Sequence, residues 1–149
     1  MIMDGDVGTV RPTPSMVARL ARPPAPVAKV GEIWWVPRHH QPARRMSRGK
    51  KDRYCLVVAV ETTNSGSTVV HLIAGTTSPG SAKSAFVVTA GDANLSETTY
   101  FKYYFYASLP ATSLNQDGRR KGSLSPSQVA DLGVAIMASN LVAVKRLWP

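Results

Sequence analysis

Cysteine is almost missing from this 149-residue chain: Cys55 stands alone. That excludes an intrachain disulfide framework and suits a reducing compartment. Cys55 lies inside an apolar run, where the expectation is a small packed hydrophobe. Long hydrophobic runs are missing too: no stretch approaches the roughly 20 apolar residues that cross a bilayer as a helix. Met1 to Val30 is interrupted by proline and arginine and lacks the apolar core of a secretory signal. A soluble, cytoplasmic protein with no membrane partner is therefore expected. Histidine is scarce, with three residues and neither a C-x-x-C nor an H-E-x-x-H spacing, so no metal site and no cofactor are expected. His39 and His40 are adjacent, and on an extended chain they would point apart rather than converge on one phosphate. His71, in a strand, reads as a satisfied structural histidine. No internal repeat is visible.

Acidic residues are the last shortage. Nine stand against 18 Lys and Arg, for a formal net charge of +9. Such an excess favours a nucleic-acid or anionic-surface partner and says nothing about fold. Its distribution is more telling. From Arg38 to Arg53 there are seven basic residues and one acid, Asp52, whereas the rest of Val30 to Pro149 carries seven basic and six acidic residues. A solubilising surface would be served by mixed signs. A focused cluster instead attracts phosphates and releases their counterions.

The chain reads as a Pro-rich flexible extension over residues 1–29 and one domain over 30–149, with an ordinary 44% of hydrophobic residues for a single core. Pro12, Pro14, Pro23, Pro24 and Pro26 oppose regular structure in the extension. A short helical turn near Met16 and a translation start at Met16 are compatible with it. The domain is mostly β. Ile33 to Val36 is a strand ended by Pro37, and Tyr54 to Val60 a central strand apolar enough to be covered on both faces. Thr62 to Ser67 is a turn and Thr68 to Ile73 its hairpin partner. Gly75 to Ser84 is a polar loop, Ala85 to Thr89 a short strand, and Thr99 to Tyr106 an aromatic-rich strand.

A helix closes the chain, opened by Ser125-Pro126-Ser127-Gln128: an N-cap serine, proline at the first helical position and glutamine three residues after the cap. Val129, Leu132, Val134, Ile136, Met137 and Leu141 wrap more than one of its faces. One sheet face cannot cover them all, which predicts a homodimer. Strands followed by a terminal helix give a mainly β fold, a small partly open barrel with helical cover.

Gly31-Glu32-Ile33-Trp34-Trp35-Val36 resembles the opening strand, G-[DE]-I-W-W-V, of the MazF/PemK (Kid) toxins of toxin–antitoxin systems. Arg53-Tyr54-Cys55-Leu56-Val57-Val58 is similar to the Arg-Pro and Val-rich strand that follows there, with Tyr54 in place of proline. Val70 to Thr76 stands where the family has a strand ending in Thr or Ser, with Ala-Gly in place of Pro-Leu. Gly118 to Ser125 resembles the lead-in to the family's last helix. The likeness runs over roughly residues 30 to 145.

The resemblance implies a homodimeric SH3-like barrel that cleaves single-stranded RNA at a short motif without metal. In that chemistry the 2′-hydroxyl attacks the adjacent phosphate, leaving a cyclic phosphate and a 5′-hydroxyl. It also implies a cognate antitoxin whose acidic tail covers the RNA groove. Arg53 is the charge-stabilising candidate, because a guanidinium grips two phosphate oxygens and keeps its charge. Thr76 is the hydroxyl donor, with Thr77 its rival. Arg44, Arg45, Arg48, Lys50 and Lys51 would clamp the RNA backbone. Among Tyr100, Phe101, Tyr103, Tyr104, Phe105 and Tyr106, some would stack bases while about half must be core. Two other readings stand beside this one. The first is a CcdB-like toxin that binds DNA gyrase through the chain end, where Trp148 either projects or packs back on the barrel. The second is a relative that binds nucleic acid without cleaving it.

Overall fold

The computed structural model describes residues 28–40, 53–78, 80 and 85–148. Most of the Pro-rich extension, with Met16, and the basic segment carrying Arg44, Arg45, Arg48, Lys50 and Lys51 lie outside the described residues. Six strands, β1 (Glu32–Val36), β2 (Arg53–Thr62), β3 (Thr68–Thr76), β4 (Ala85–Val88), β5 (Thr99–Pro110) and β6 (Arg119–Ser123), form one antiparallel sheet. Their order is β4-β5-β3-β2-β1-β6. Helices α1 (Ala111–Asp117), α2 (Pro126–Ala138) and α3 (Val142–Lys145) complete the architecture, with 3-10 turns at Arg38–His40 and Asp92–Asn94. Among the described residues no helix is long and apolar enough to cross a membrane.

The sheet curls into a half-barrel, and two features account for the curl. Ile73 faces Tyr106 and Gly75 faces Phe101, so a single residue of β3, Ala74, stands opposite the four residues Lys102 to Phe105 of β5. A bulge of that size bends the strand sharply. The connection after β4 then reaches across to the opposite edge, where the Asn94 amide donates to the Lys121 carbonyl at 3.1 Å. Contact there is close: a Cβ on Gly122 would collide with the Ala93 carbonyl oxygen.

Both faces of the central strands are buried, as their near-continuous apolar sequence requires. Trp34, Val36, Cys55, Val57, Val70, Leu72 and Ala74 pack under Ala111 and Leu114 of α1. On the other face Ile33, Leu56, Val58, Ile73 and Phe101 pack with Leu132 and Ile136 of α2 and Val144 of α3. Burying Leu132 and Ile136 contributes ~1.5–3 kcal/mol each. The N-terminus of α2 carries the expected capping box: the Gln128 amide donates to Ser125 Oγ and the Gln128 side chain accepts the Ser125 amide. Val129 packs against the same cluster as Leu132 and Ile136, while Val134 and Met137 face outward, 74% and 52% exposed. Trp148 packs back on the sheet: its indole N–H donates to the Val58 carbonyl at 2.8 Å, at the β2 bulge between Val57 and Ala59.

Strands β1, β2, β3 and β5 are longer than the sequence pattern indicates, and β4 stops one residue short of the expected Thr89. β3 runs on through Gly75 and Thr76, which the sequence reading assigned to a loop, and β5 extends four residues past Tyr106. α1 and β6 were not anticipated, since Ala111 to Asp117 has few apolar residues and Arg119-Arg120-Lys121 reads as a basic loop. Pairing with β1 makes that segment a strand, and charge along an edge strand also discourages edge-to-edge association.

His71 is 4% exposed and both of its ring nitrogens are bonded. Nε2 lies 3.0 Å from Glu61 Oε1 and Nδ1 lies 2.6 Å from the Tyr106 hydroxyl oxygen. An ionised carboxylate only accepts, so Nε2 is the donor; in the neutral ring Nδ1 then accepts the Tyr106 hydroxyl. Arg146 donates to Glu61 Oε2 at 2.8 Å, fastening the chain end to the sheet. The bonds from Arg146 and then His71 hold the Glu61 carboxyl below its ordinary range.

Two outcomes are expected. Gly122→Ala should destabilise the fold by about 1–3 kcal/mol in urea unfolding, because the added methyl meets backbone that cannot swing aside; an unchanged midpoint would mean that the barrel edges do not meet at this point. A carboxyl whose folded value is depressed adds stability above its unfolded value, and that stability is lost as pH falls through the folded one. Glu61→Gln should therefore lower stability at neutral pH, with the gap from wild type closing on acidification below about pH 4.

Candidate nucleic-acid interface

Antiparallel pairing decides what meets at each end of the sheet. Val36, the last residue of β1, pairs with Arg53, the first of β2. Cys55 pairs with Ala74, and the same register carried two residues further sets Arg53 opposite Thr76, the last residue of β3. Thr76 pairs with Tyr100 near the start of β5, and Trp35 with Arg119 at the start of β6. The basic segment that connects β1 to β2 leaves and returns at this same end. Helix α1 carries the chain back across one sheet face to Asp117 and Arg119.

The structure thus brings Arg53 and Thr76 together. Alternation along each strand puts Arg53 with Cys55 and Thr76 with Ala74, on the face that α1 covers. Arg53 Nη1 donates to the carbonyl of Gly75, the residue before Thr76, at 3.2 Å. This contact orients the guanidinium, and Arg53 is half-buried. Thr76 Oγ1 accepts the Ser78 amide at 3.2 Å, which leaves the hydroxyl hydrogen to be donated elsewhere. Thr77 is exposed and lies just beyond the strand.

One further cation belongs to this neighbourhood and was missed in the sequence. Lys102 is 3% exposed. Its ammonium lies 5.8 Å from the centre of the Tyr100 ring and 3.3 Å from where a Cβ on Gly80 would stand. The β5 bulge begins at this residue, and in the sequence Lys102 is flanked by the aromatic residues proposed to stack bases. Those aromatics do not divide by strict alternation, because the bulge interrupts it: Phe101 is fully buried, Tyr104 is exposed, and Tyr100, Tyr103, Phe105 and Tyr106 are half-buried, with Phe105 against the α1 face and Tyr103 and Tyr106 against the α2 face.

His39 and His40 correct the expectation that they diverge. They sit in a 3-10 turn, not on an extended chain, and their ring centres are 4.2 Å apart. Both Nε2 atoms approach Asp117 Oδ2, at 2.8 Å for His40 and 3.8 Å for His39. The hydrogen bond from His40 is the main cause of the Asp117 carboxyl lying below its ordinary range.

Cys55, two residues along β2 from Arg53, is buried, and burial pushes its thiol up to about 12 despite the nearby Arg53 charge. It packs as a small hydrophobe. In the folded protein Cys55 should therefore resist thiol reagents at neutral pH and react only at the rate of unfolding. Rapid modification of the native state would show that this end of the core is open.

Scanned against models of known protein families, the chain matches none, and no curated protein matches it either.

Proposed function

We propose that this chain is an endoribonuclease toxin of the MazF/PemK (Kid) type: a cytoplasmic, homodimeric SH3-like barrel that cuts single-stranded RNA at a short motif and is neutralised by a cognate antitoxin. The supporting observation is the meeting of Arg53 and Thr76 at the sheet end where the basic segment begins and returns. RNA cleavage by 2′-hydroxyl attack needs negative charge stabilised at phosphorus, proton transfer, and an unstacked strand held in line. Arg53 presents a planar donor set to the phosphate oxygens, steadied by the Gly75 carbonyl. The Thr76 hydroxyl donates to the same phosphate. Bond formation from the 2′-oxygen to phosphorus breaks the bond to the 5′-oxygen of the next nucleotide; water takes up the proton lost by the 2′-hydroxyl and returns one to the leaving 5′-oxygen, which departs as a 5′-hydroxyl. Arg44, Arg45, Arg48, Lys50 and Lys51 hold the strand by its backbone. The outward apolar face of α2 and α3, with Val134, Met137 and Val142, is covered by the second copy. The engagement of Trp148 with Val58 argues against the gyrase-directed alternative, in which the chain end has to be presented to a partner.

The test is incubation of the purified protein with a long single-stranded RNA in EDTA, followed by sequencing of the 5′ ends of the fragments. Discrete cuts at one motif are expected, reduced about 100-fold or more in Arg53→Ala, as for the loss of a charge-stabilising donor. Circular dichroism would check that this variant folds. Serine at all five basic positions should weaken RNA binding and flatten its salt dependence. Near-normal turnover by folded Arg53→Ala would overturn the assignment. Intact RNA from folded wild type would leave two outcomes: salt-sensitive binding without cleavage, or gyrase trapping on a supercoiling gel.

A further inference from the structure

We propose that His39, His40 and Asp117 form a binding site for a divalent late first-row transition ion, zinc being the physiological representative. The three side chains come from two chain segments, the turn after β1 and the end of α1, and offer two imidazole nitrogens and a carboxylate oxygen. These donor atoms all lie within 4.8 Å of one another. An ion bound tetrahedrally at 2.0–2.2 Å has ligand atoms about 3.3–3.6 Å apart. The two contacts to Asp117 Oδ2, 2.8 Å and 3.8 Å, bracket that spacing. The site is therefore built to within a small rotation: His40 and Asp117 move apart slightly and His39 swings in. His39 can do so, since its side chain is 65% exposed. His40 is fixed at the backbone by the hydrogen bond that its N–H donates to the Pro37 carbonyl at 3.1 Å.

Donor chemistry selects the ion. Imidazole nitrogen suits zinc, cobalt, nickel and copper, whereas magnesium and calcium call for oxygen ligands. With three protein donors, a water completes a four-coordinate ion. Among the described residues Cys55 is buried beneath the sheet face and His71 is committed to Glu61 and Tyr106, so neither competes for the ion. Bound there, the ion ties the turn that leads into the basic segment to the junction of α1 and β6. None of this depends on the ribonuclease reading.

The experiment uses the full, tag-free chain, dialysed against EDTA and then freed of it, titrated with Co2+ alone. Saturation at a single equivalent is expected, with the strong visible bands of a four-coordinate ion that Zn2+ erases and Mg2+ does not. His40→Ala and Asp117→Asn, both folded by circular dichroism, should lose the bands. On wild type, proton NMR of the imidazoles should show Zn2+ moving the His39 and His40 ring signals and leaving those of His71 in place, a readout that needs no variant. Absence of the visible bands, their persistence in both variants, or a Zn2+ response confined to His71 would overturn the site. Zn2+ should also raise Tm of wild type and not of Asp117→Asn, because an ion that binds only the folded state stabilises it.

Discussion

The position of β2 between β1 and β3 is the constraint on which the chemistry of this fold depends. Antiparallel neighbours exchange ends, so the last residue of β1, the first of β2 and the last of β3 must lie side by side whatever the side chains prefer. Val36, Arg53 and Thr76 are those residues. Register on the sheet is in turn fixed by burial. β2 and β3 are apolar on both faces, and a slip of one residue would exchange the α1 face for the α2 face along each strand. Packing against Leu114 on one side and Leu132 on the other therefore determines that a guanidinium and a hydroxyl meet at the sheet end. The hydrogen bond from Arg53 to the Gly75 carbonyl follows from this placement.

Closure of the half-barrel imposes a second condition. A curled sheet of six strands leaves β4 and β6 as edges, and exposed edges invite association. Here the connection after β4 meets β6 at Gly122, where backbone approaches too closely for any larger residue. Arg119 and Arg120 keep the outer strand charged. The last turns of the chain add a separate fastening, in which Arg146 reaches Glu61 and Trp148 reaches Val58. Gly133 stands beneath that indole, where a Cβ would lie 2.8 Å from the Trp148 ring. This explains a glycine inside a helix, a position that costs about 1 kcal/mol relative to alanine.

Much of this architecture is written in local pattern. Continuous apolar runs, a turn rich in small polar residues and a capping box specify β2, the β2–β3 turn and α2 directly, because each rests on neighbours in sequence. The features that escaped are those decided at a distance. Arg119 to Ser123 is a strand because β1 has an open edge beside it, and nothing local to Arg-Arg-Lys-Gly-Ser favours that conformation. Thr76 belongs to a strand because Tyr100 pairs with it. Lys102 is buried under cover that comes from elsewhere in the chain, since Gly80 lies over its ammonium. The two adjacent histidines diverge on an extended chain and converge in a 3-10 turn, and Pro37 just before them gives no unambiguous sign of which it will be. Arg53 and Thr76 were legible as residue types; their meeting is a property of register.

The proposed ion site and the basic end of the sheet also act on one another electrostatically. Asp117 contributes a negative charge at His40, where the chain departs into a strongly basic segment. With neutral imidazoles the group of His39, His40 and Asp117 carries a charge of −1, which opposes a phosphate chain approaching that end. A divalent ion reverses the sign to +1, and the change acts within a Debye length of about 8 Å at physiological ionic strength. Filling the site would therefore extend the cationic surface instead of interrupting it. It would do so without adding a catalytic group, since the chemistry proposed at Arg53 and Thr76 draws on a guanidinium, a hydroxyl and the RNA's own 2′-oxygen. The ion and the polyanion would then be coupled through charge alone, each favouring the other.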